Sequence, residues 1–412
     1  MDGIEDRTWQ AGALEPPRHV PTLSVAELEA DPHGTFRTWR PRLPVVGHEV
    51  AGFVVLRAGD VDRLMRDPRL RATETLYPEK RGIPEGKLFD IFAHGMLTAN
   101  GAAHRRRRSP FTRTFAARMM EGLRPRIRGA AENLVRDWLP DGEIDLVARY
   151  TALIPAQTIA DILGLPHEDI PRFTYLAYEV SRVLSFTFGP ADIPSLEAAA
   201  VALQDYVRAI LEARRSAPQD DFLSRFLAEA EGAGDLTSEE VVIQLVQMII
   251  GGTDTTRVAG AMQAALLLQH PEQWAAVSRD PGLTPAAVAE SLRYEPSVGS
   301  AGRVAREAID LDGTVVPAGS LIMLSTLSAL RDAAAFQDPD TFNIRHTDLP
   351  RLHPIFGGGA HRCIGEALAR IELEEGLAVL MRLAPSLRLT GAMPVLHGHS
   401  GIRRIGPLLV AA

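Results

Sequence analysis

The segment Phe356-Gly357-Gly358-Gly359-Ala360-His361-Arg362-Cys363-Ile364-Gly365 carries the only cysteine of the chain. A single thiol excludes an internal disulfide and a multi-cysteine zinc or iron-sulfur site, and leaves a core thiol, a nucleophile or a lone metal ligand. Gly365 opens a helical pattern over Glu366 to Glu375, which sets the sulfur at a helix N-terminus. The dipole and unpaired N–H groups there favour the thiolate, the form that can bind a metal. His361 and Arg362 add positive potential, and the clustered glycines allow close approach of backbone to a flat ligand.

Three further groups have spacings that chemistry could use. Asp254 and Thr255 stand in the run Gly251-Gly252-Thr253-Asp254-Thr255-Thr256, where a carboxylate beside a hydroxyl could relay protons into a dry pocket. Read alone, the same pair is equally a threonine bonding its own preceding turn and an aspartate on a wet face. Glu290 and Arg293 share one face of a helix, as an exposed pair or a buried one. His104 and Arg108, four apart, also share a face, within a run of consecutive arginines from Arg105 to Arg108 that could equally be a solvated cationic surface.

Phe356, Gly359, His361, Cys363 and Gly365 fit the pattern F-x-x-G-x-H-x-C-x-G, and on them the chain resembles the cytochrome P-450 family of haem-thiolate monooxygenases. Glu290 and Arg293 match that family's E-x-x-R pair, Asp254-Thr255 its acid–threonine pair, and His104 with Arg108 its H-x-x-x-R element. Arg105 stands where a threonine usually follows the histidine, and Ala102-Ala103 precede it. The resemblance implies a haem b with Cys363 as axial thiolate, bordered by Phe356, Gly365 and Gly252, its propionates held by His104, Arg108, Arg303 and His361. It assigns Thr255 and Asp254 to proton delivery, Gly251 and Gly252 to leaving space above the haem, and Glu290, Arg293 and Arg345 to a buried ion-pair cluster that supports the cysteine loop. An anionic sulfur ligand favours heterolysis of dioxygen, which agrees with a monooxygenase.

The implied reaction inserts one oxygen atom into a small, largely apolar molecule. Phe186, Met248, Ile249, Val298, Ser300, His399 and Ser400 are the substrate-pocket candidates, with Phe186 and Phe188 as a lid or as ordinary core. Electrons would come from a separate ferredoxin and its reductase, docking near Arg105, Arg106, Arg107 and Arg362. A peroxide-driven haem-thiolate enzyme and a non-catalytic haem-based ligand binder are the rival readings.

The elements that must position these residues are mostly helical. Thr237 and Glu240 form a capping box ahead of an apolar helix running toward Pro271, and Gly251-Gly252 within it demands either a close approach or a distortion. Thr284 and Pro285 start the helix of Glu290, and Ile154 to Leu163 forms another that Gly164 stops. Strand patterns occupy Val45 to Leu56 and the runs around Asp312-Gly313 and Pro317-Ala318-Gly319. The expected architecture is mainly α with a minor β region, a triangular helical prism with the haem between the long central helix and the cysteine loop. We read residues 1–412 as one domain, with 1–23 an extended N-terminal segment. A composition of 46% hydrophobic and 23% charged residues is that of a globular protein, and a net charge of −8 argues against nucleic acid as main partner. No signal pattern or membrane-length apolar stretch stands out, so a cytoplasmic protein is expected.

Overall fold

Apolar residues recur at helical spacing along most of the chain, and helices that bury one stripe against each other form the bulk of the molecule. The computed structural model describes residues 20–115, 120–185, 188–232, 236–349 and 353–412. The elements that frame the site are, in chain order, strands β1 (Thr22–Leu23), β2 (Val45–His48), β3 (Gly52–Val55) and β4 (Leu70–Arg71). Helices α1 (Lys87–Ala93), α2 (Gly101–Thr114), α3 (Arg124–Trp138), α4 (Leu153–Leu163), α5 (Ile170–Ser181), α6 (Ile193–Ser216), α7 (Ser238–Gln269) and α8 (Thr284–Tyr294) follow. Strands β5 (Ser300–Ala305) and β6 (Leu321–Ser325) and helix α9 (Glu366–Leu383) complete the frame.

Helix α7 is the axis of the fold. Its 32 residues are buried on nearly every side in the N-terminal half, as expected of a helix packed within a core rather than on it. Thr237 accepts the Glu240 N–H while the Glu240 carboxylate accepts the Thr237 N–H, so the capping box forms as the sequence implies. The helix runs unbroken through Gly251-Gly252. Close approach, not distortion, explains the pair: a Cβ on Gly252 would lie 2.5 Å from Ile159 Cδ1 of α4, whereas one on Gly251 would meet nothing within 4 Å.

The main β element among the described residues is a six-stranded sheet, in the order β1-β2-β3-β6-β5-β4, with one three-stranded and two two-stranded sheets elsewhere. Strands β2 and β3 are antiparallel with Val45 opposite Val55, β3 and β6 parallel, and β6 and β5 antiparallel with Gly302 opposite Met323. One face of this sheet packs on Val61, Leu64 and Met65, the other on Leu28 and Phe36, so its strands read as continuous apolar runs. Gly164 closes α4 with a left-handed φ of 62°. Helix α8 begins at Thr284 itself, with Leu283 as cap, a one-residue shift from the sequence expectation. Among the described residues no helix is long and apolar enough to cross a membrane.

Candidate functional site

A cavity of about 460 Å³ lies where α2, α7, β5, α9 and the cysteine loop converge. Its walls are predominantly apolar, including Ile91, Phe92, Met248, Val298, Ile402 and Leu373. Cys363 opens onto it from one side and Gly251 and Thr255 from α7.

The cysteine loop is held by its own backbone. Cys363 N–H donates to the Phe356 carbonyl at 2.7 Å, and Arg362 donates to Gly357 O at 2.9 Å and pairs with Glu366 at 2.5 Å. Gly359 sits at φ 60°, where a Cβ would also come within 3.2 Å of Met65 O, so this position needs glycine on both counts. His353 pins the preceding turn to α8 through Ala289 O at 3.2 Å. The sulfur is reached from the cavity yet enclosed by protein at longer range, so burial pushes the thiol up. The Gly365 N–H pulls the other way, Glu366 pushes further up, and Arg108 and Arg362 pull down. The helix terminus therefore favours the thiolate in direction, as expected, but does not outweigh burial. Among the described residues no cluster of three or more His, Cys, Asp or Glu side chains could cage a bare ion.

The four anchoring residues named from the sequence do converge on the cavity. His104 and Arg108 reach it from α2, Arg303 from β5 and His361 from the cysteine loop. The rings of His104 and His361 lie 4.2 Å apart. His104 Nε2 is buried and has no hydrogen-bond partner among the described residues. Burial lowers the Arg303 guanidinium to about 10, and burial followed by Arg303, His104 and Arg108 lowers His361 to about 3. Arg303 has no carboxylate partner among the described residues, and Arg108 donates only to the Arg362 carbonyl at 2.6 Å. Positive and donor groups thus crowd one wall without an anion between them, an arrangement that two carboxylates of a flat ligand would satisfy. A haem fits this site on that count and on the sulfur facing it.

On α7 the acid and alcohol part company. Thr255 opens onto the cavity and donates to Gly251 O at 2.7 Å. Asp254 faces the other way, 1% exposed, paired with Arg257 at 2.5 Å and accepting from Ser181 Oγ of α5 at 2.5 Å. It is not among the residues that line the cavity, because its position on the helix turns it toward α5. Gly252 lines the cavity beside Gly251, as expected, and its missing side chain also lets α7 approach Ile159 of α4.

A carboxyl that the sequence analysis did not single out does line the cavity. Glu372 of α9 lines the cavity, shares side-chain hydrogen bonds with Thr158 and Thr256, and is pushed up to about 8 by burial. The hydrogen bonds with Thr158 and Thr256 pull the carboxyl the other way, and burial outweighs them. Behind it lies a chamber of about 20 Å³, into which Thr151 Oγ1, Gln263 Oε1 and Glu372 Oε1 bring buried polar atoms without partners among the described residues. That volume accommodates one water. The sequence signal for Glu372 is an acidic residue on the apolar face of α9.

Three other expectations change. Glu290 and Arg293 are both fully buried and bidentate, at 2.7 and 2.8 Å, and Arg293 also donates to Leu330, Pro339 and Thr341 carbonyls. The third member is His346, with Nδ1 3.1 Å from Glu290 Oε1, while Arg345 is exposed. Successive residues of this extended turn point to opposite sides, so the neighbour takes the role. In the arginine run, Arg105 is exposed, but Arg106 and Arg107 bind the Glu240 carboxylate at 2.5 and 2.9 Å and Arg107 also binds Gly95 O. Arg106 and Arg107 therefore tie α2 to the start of α7, and Arg362 is spent within its own loop. Of the substrate candidates, Met248, Val298, Ser300 and Ser400 line the cavity. Ile249 and His399 are buried elsewhere, because α7 turns Ile249 away and His399 pairs with His48 and Glu29. Phe186 lies outside the described residues; Phe188 is buried beneath Arg81.

The profile of the cytochrome P450 family matches residues 77–280 and 282–383. The plant-inducible Cytochrome P450-pinF1 of Rhizobium radiobacter is 43% identical over 388 residues, covering 94% of this chain and 92% of that protein. Luteothin monooxygenase of Streptomyces thioluteus is 32% identical over 352 residues, 85% of this chain and 84% of its own length. Among solved structures, the cytochrome P450 enzyme CxnD, described for C–S bond formation in chuangxinmycin biosynthesis, superposes with a TM-score of 0.86 at 30% identity over 96% of this chain and 98% of that one. A myxobacterial cytochrome P450 in complex with myristic acid does so at 0.85 and 32% identity, over 93% and 97%.

Proposed function

The chain belongs to the cytochrome P450 family, haem-thiolate monooxygenases, and from that membership we propose that it inserts one oxygen atom from dioxygen into a small, largely apolar organic molecule. The observation that carries this reading is the convergence on one apolar cavity of the only cysteine sulfur, the Thr255 hydroxyl and four cationic or donor side chains. Cys363 would hold the haem iron, and His104, Arg108, Arg303 and His361 its two carboxylates. When bound, the haem would supply the redox chemistry that activates dioxygen, with Cys363 as the thiolate that holds its iron.

The protein's own part is to keep the cavity dry and to bring protons in singly. Thr255 offers a hydroxyl that can accept one hydrogen bond while donating to Gly251 O. Glu372 holds a proton at its carboxyl beside Thr256, one residue from Thr255, and the chamber behind it, large enough for one water, sets the Thr151 and Gln263 oxygens near that carboxyl. Asp254, locked to Arg257 and Ser181, positions α5 against α7. Electrons come in this reading from a separate ferredoxin and reductase, whose contact can include the exposed Arg105 but not the buried Arg107.

The test is the absorbance of the reduced protein under carbon monoxide. The wild type gives the red-shifted Soret band of a thiolate-bound haem; Cys363→Ser loses it. A wild type without that band refutes the reading. For the electron donor, reduction by a ferredoxin should slow as salt is raised, and a salt-independent rate counts against electrostatic docking.

A further inference from the structure

The stretch from 353 to 363 carries the sulfur, yet little of it is regular structure, so its course depends on what it is tied to. His353 caps the single turn Pro354–Phe356 and accepts the Ile355 N–H at Nδ1, at 3.3 Å. Pro354 has no N–H to offer, so this amide is the first of the turn that needs a partner. Serine, threonine, aspartate and asparagine are the usual residues for that task, and a short side chain suffices for it. A histidine has a second nitrogen to spend, and here Nε2 lies 3.2 Å from the Ala289 carbonyl of α8. A ring nitrogen that accepts an amide carries no proton, so the proton of this ring is at Nε2 and is donated to Ala289 O. Burial, then Arg370, hold the pKa of the ring down at about 3 against the pull of the Ala289 carbonyl, with Arg293 and Arg362 adding to the lowering. The ring is therefore neutral, 1% exposed, and has both nitrogens engaged.

The capped turn leads directly to the sulfur. Phe356 N–H donates to the His353 carbonyl at 3.2 Å, and the Phe356 carbonyl in turn accepts the N–H of Cys363 at 2.7 Å. Ile355 and Phe356 also pack on Ala259, Val288, Leu292 and Leu373, and the Arg370 guanidinium lies 5.0 Å from the centre of the Phe356 ring. Those apolar contacts hold the turn down but have no direction of their own. The direction of the Phe356 carbonyl is set by the hydrogen bonds at the two ends of the turn.

The buried Glu290–Arg293 pair does not reach this turn. Arg293 donates to the Leu330, Pro339 and Thr341 carbonyls, and Glu290 accepts the Asn343 N–H and meets His346. All of these partners lie at 330–346, outside the cysteine loop. From the same helix it is the carbonyl of Ala289, the residue before Glu290, that is bound to the loop, and the bond is made by His353. On its other side the loop is tied to α2, where Arg108 donates to Arg362 O at 2.6 Å.

We propose that His353 is the positioning residue of the sulfur: by joining α8 to the capped turn it fixes the Phe356 carbonyl that receives the Cys363 N–H, and so sustains the sulfur–iron bond of the loaded protein. This inference rests on the haem-thiolate reading and assigns the support of its sulfur to a residue outside the Glu290–Arg293 pair.

The test divides the two nitrogens between two variants of the haem-loaded full chain. In His353→Asn the side-chain oxygen stands where Nδ1 stood, so the cap on Ile355 is kept and α8 is given up. In His353→Gln the amide nitrogen stands where Nε2 stood, so the bond to Ala289 is kept and the cap is given up. The first readout is the lifetime, in the reduced protein under carbon monoxide, of the red-shifted Soret band before it converts to the shorter-wavelength band left when the thiolate is lost. His353→Asn should shorten that lifetime about 3- to 10-fold, the worth of one net hydrogen bond, and His353→Gln should restore most of it. The second readout is hydrogen exchange: the Cys363 N–H should exchange faster in His353→Asn by a similar factor, with the Ala369 N–H of α9 unaltered. Trp274→Phe, which removes the bond from Trp274 Nε1 to Pro385 O at 3.0 Å away from the cavity, serves as a variant weakened elsewhere and should keep the wild-type lifetime. A wild-type lifetime in His353→Asn, a His353→Gln no better than His353→Asn, or an equal shortening in Trp274→Phe overturns the proposal. Should His353→Asn take up no haem, His353→Gln decides: a lifetime near wild type supports the proposal, and loss of haem there as well overturns it. A wild type without the red-shifted band sinks the monooxygenase reading and this inference with it, whereas an intact band with equal lifetimes in all variants sinks the inference alone.

Discussion

At the residue scale, burial decides which titratable groups can serve. Glu372 and Asp254 are both buried carboxyls near the active face of α7, yet Asp254 has a guanidinium partner and Glu372 has only hydroxyls. A carboxyl without a cation keeps its proton. Its folded value of about 8 lies above the ordinary 4.5, so the folded chain retains a proton that the unfolded chain releases between those values. Stability should be full below about 4.5 and fall as pH rises toward about 8. Glu372→Gln should remove that slope in denaturant unfolding across this range, and remove the carbonyl stretch of a protonated carboxyl from the infrared spectrum. An unchanged slope would mean the proton sits elsewhere. The glycine pair separates in the same way. Gly252→Ala drives a methyl into Ile159 and should cost about 1–3 kcal/mol of stability, whereas Gly251→Ala should leave stability nearly intact and weaken binding of ligands that displace the absorbance band.

At the element scale, ion pairs set how helices meet. Glu240 caps α7 and holds Arg106 and Arg107 of α2, and although burial pushes its carboxyl up, these hydrogen bonds bring it down to about 2. A folded value below the ordinary 4.5 means the stabilisation is present above about 4.5 and is lost as pH falls through about 2. Glu240→Gln should therefore cost about 2 kcal/mol at pH 7, with the difference from wild type closing as acid is added. Glu290 and Arg293 join α8 to the turn at 339–346, and severing that pair by Glu290→Gln leaves a buried guanidinium short of its charge. The expected loss is about 3–5 kcal/mol, read as a lowered denaturation midpoint. An unaltered midpoint would show that His346 and the three carbonyls suffice for Arg293.

At the scale of the whole molecule, the cavity joins parts of the chain that otherwise touch little: α2, α7, the sheet strand β5 and the cysteine loop. A haem bound there contributes stability in proportion to its affinity for the folded chain. Extraction of the haem should lower the thermal midpoint by several degrees, and hydrogen exchange should accelerate first in α2 and residues 353–365. Equal exchange in the loaded and extracted protein would separate these segments from the haem site.

Much of this was legible in the residues. The glycine-rich cysteine segment, the capping box at Thr237, the stop at Gly164 and the Glu290–Arg293 spacing are local patterns, and local backbone and charge preferences follow from neighbouring residues in the chain. The partners of long-range pairs were not legible, because they depend on which side of a helix or turn a neighbour occupies. That is why His346 rather than Arg345 joins Glu290, why Arg106 and Arg107 bind Glu240, and why Asp254 turns to α5. The sequence alone determined the family of chemistry and pointed to the one candidate thiol, through residue type and spacing; the tertiary structure alone decided which buried polar groups go unpaired, since desolvation acts only once the chain has packed.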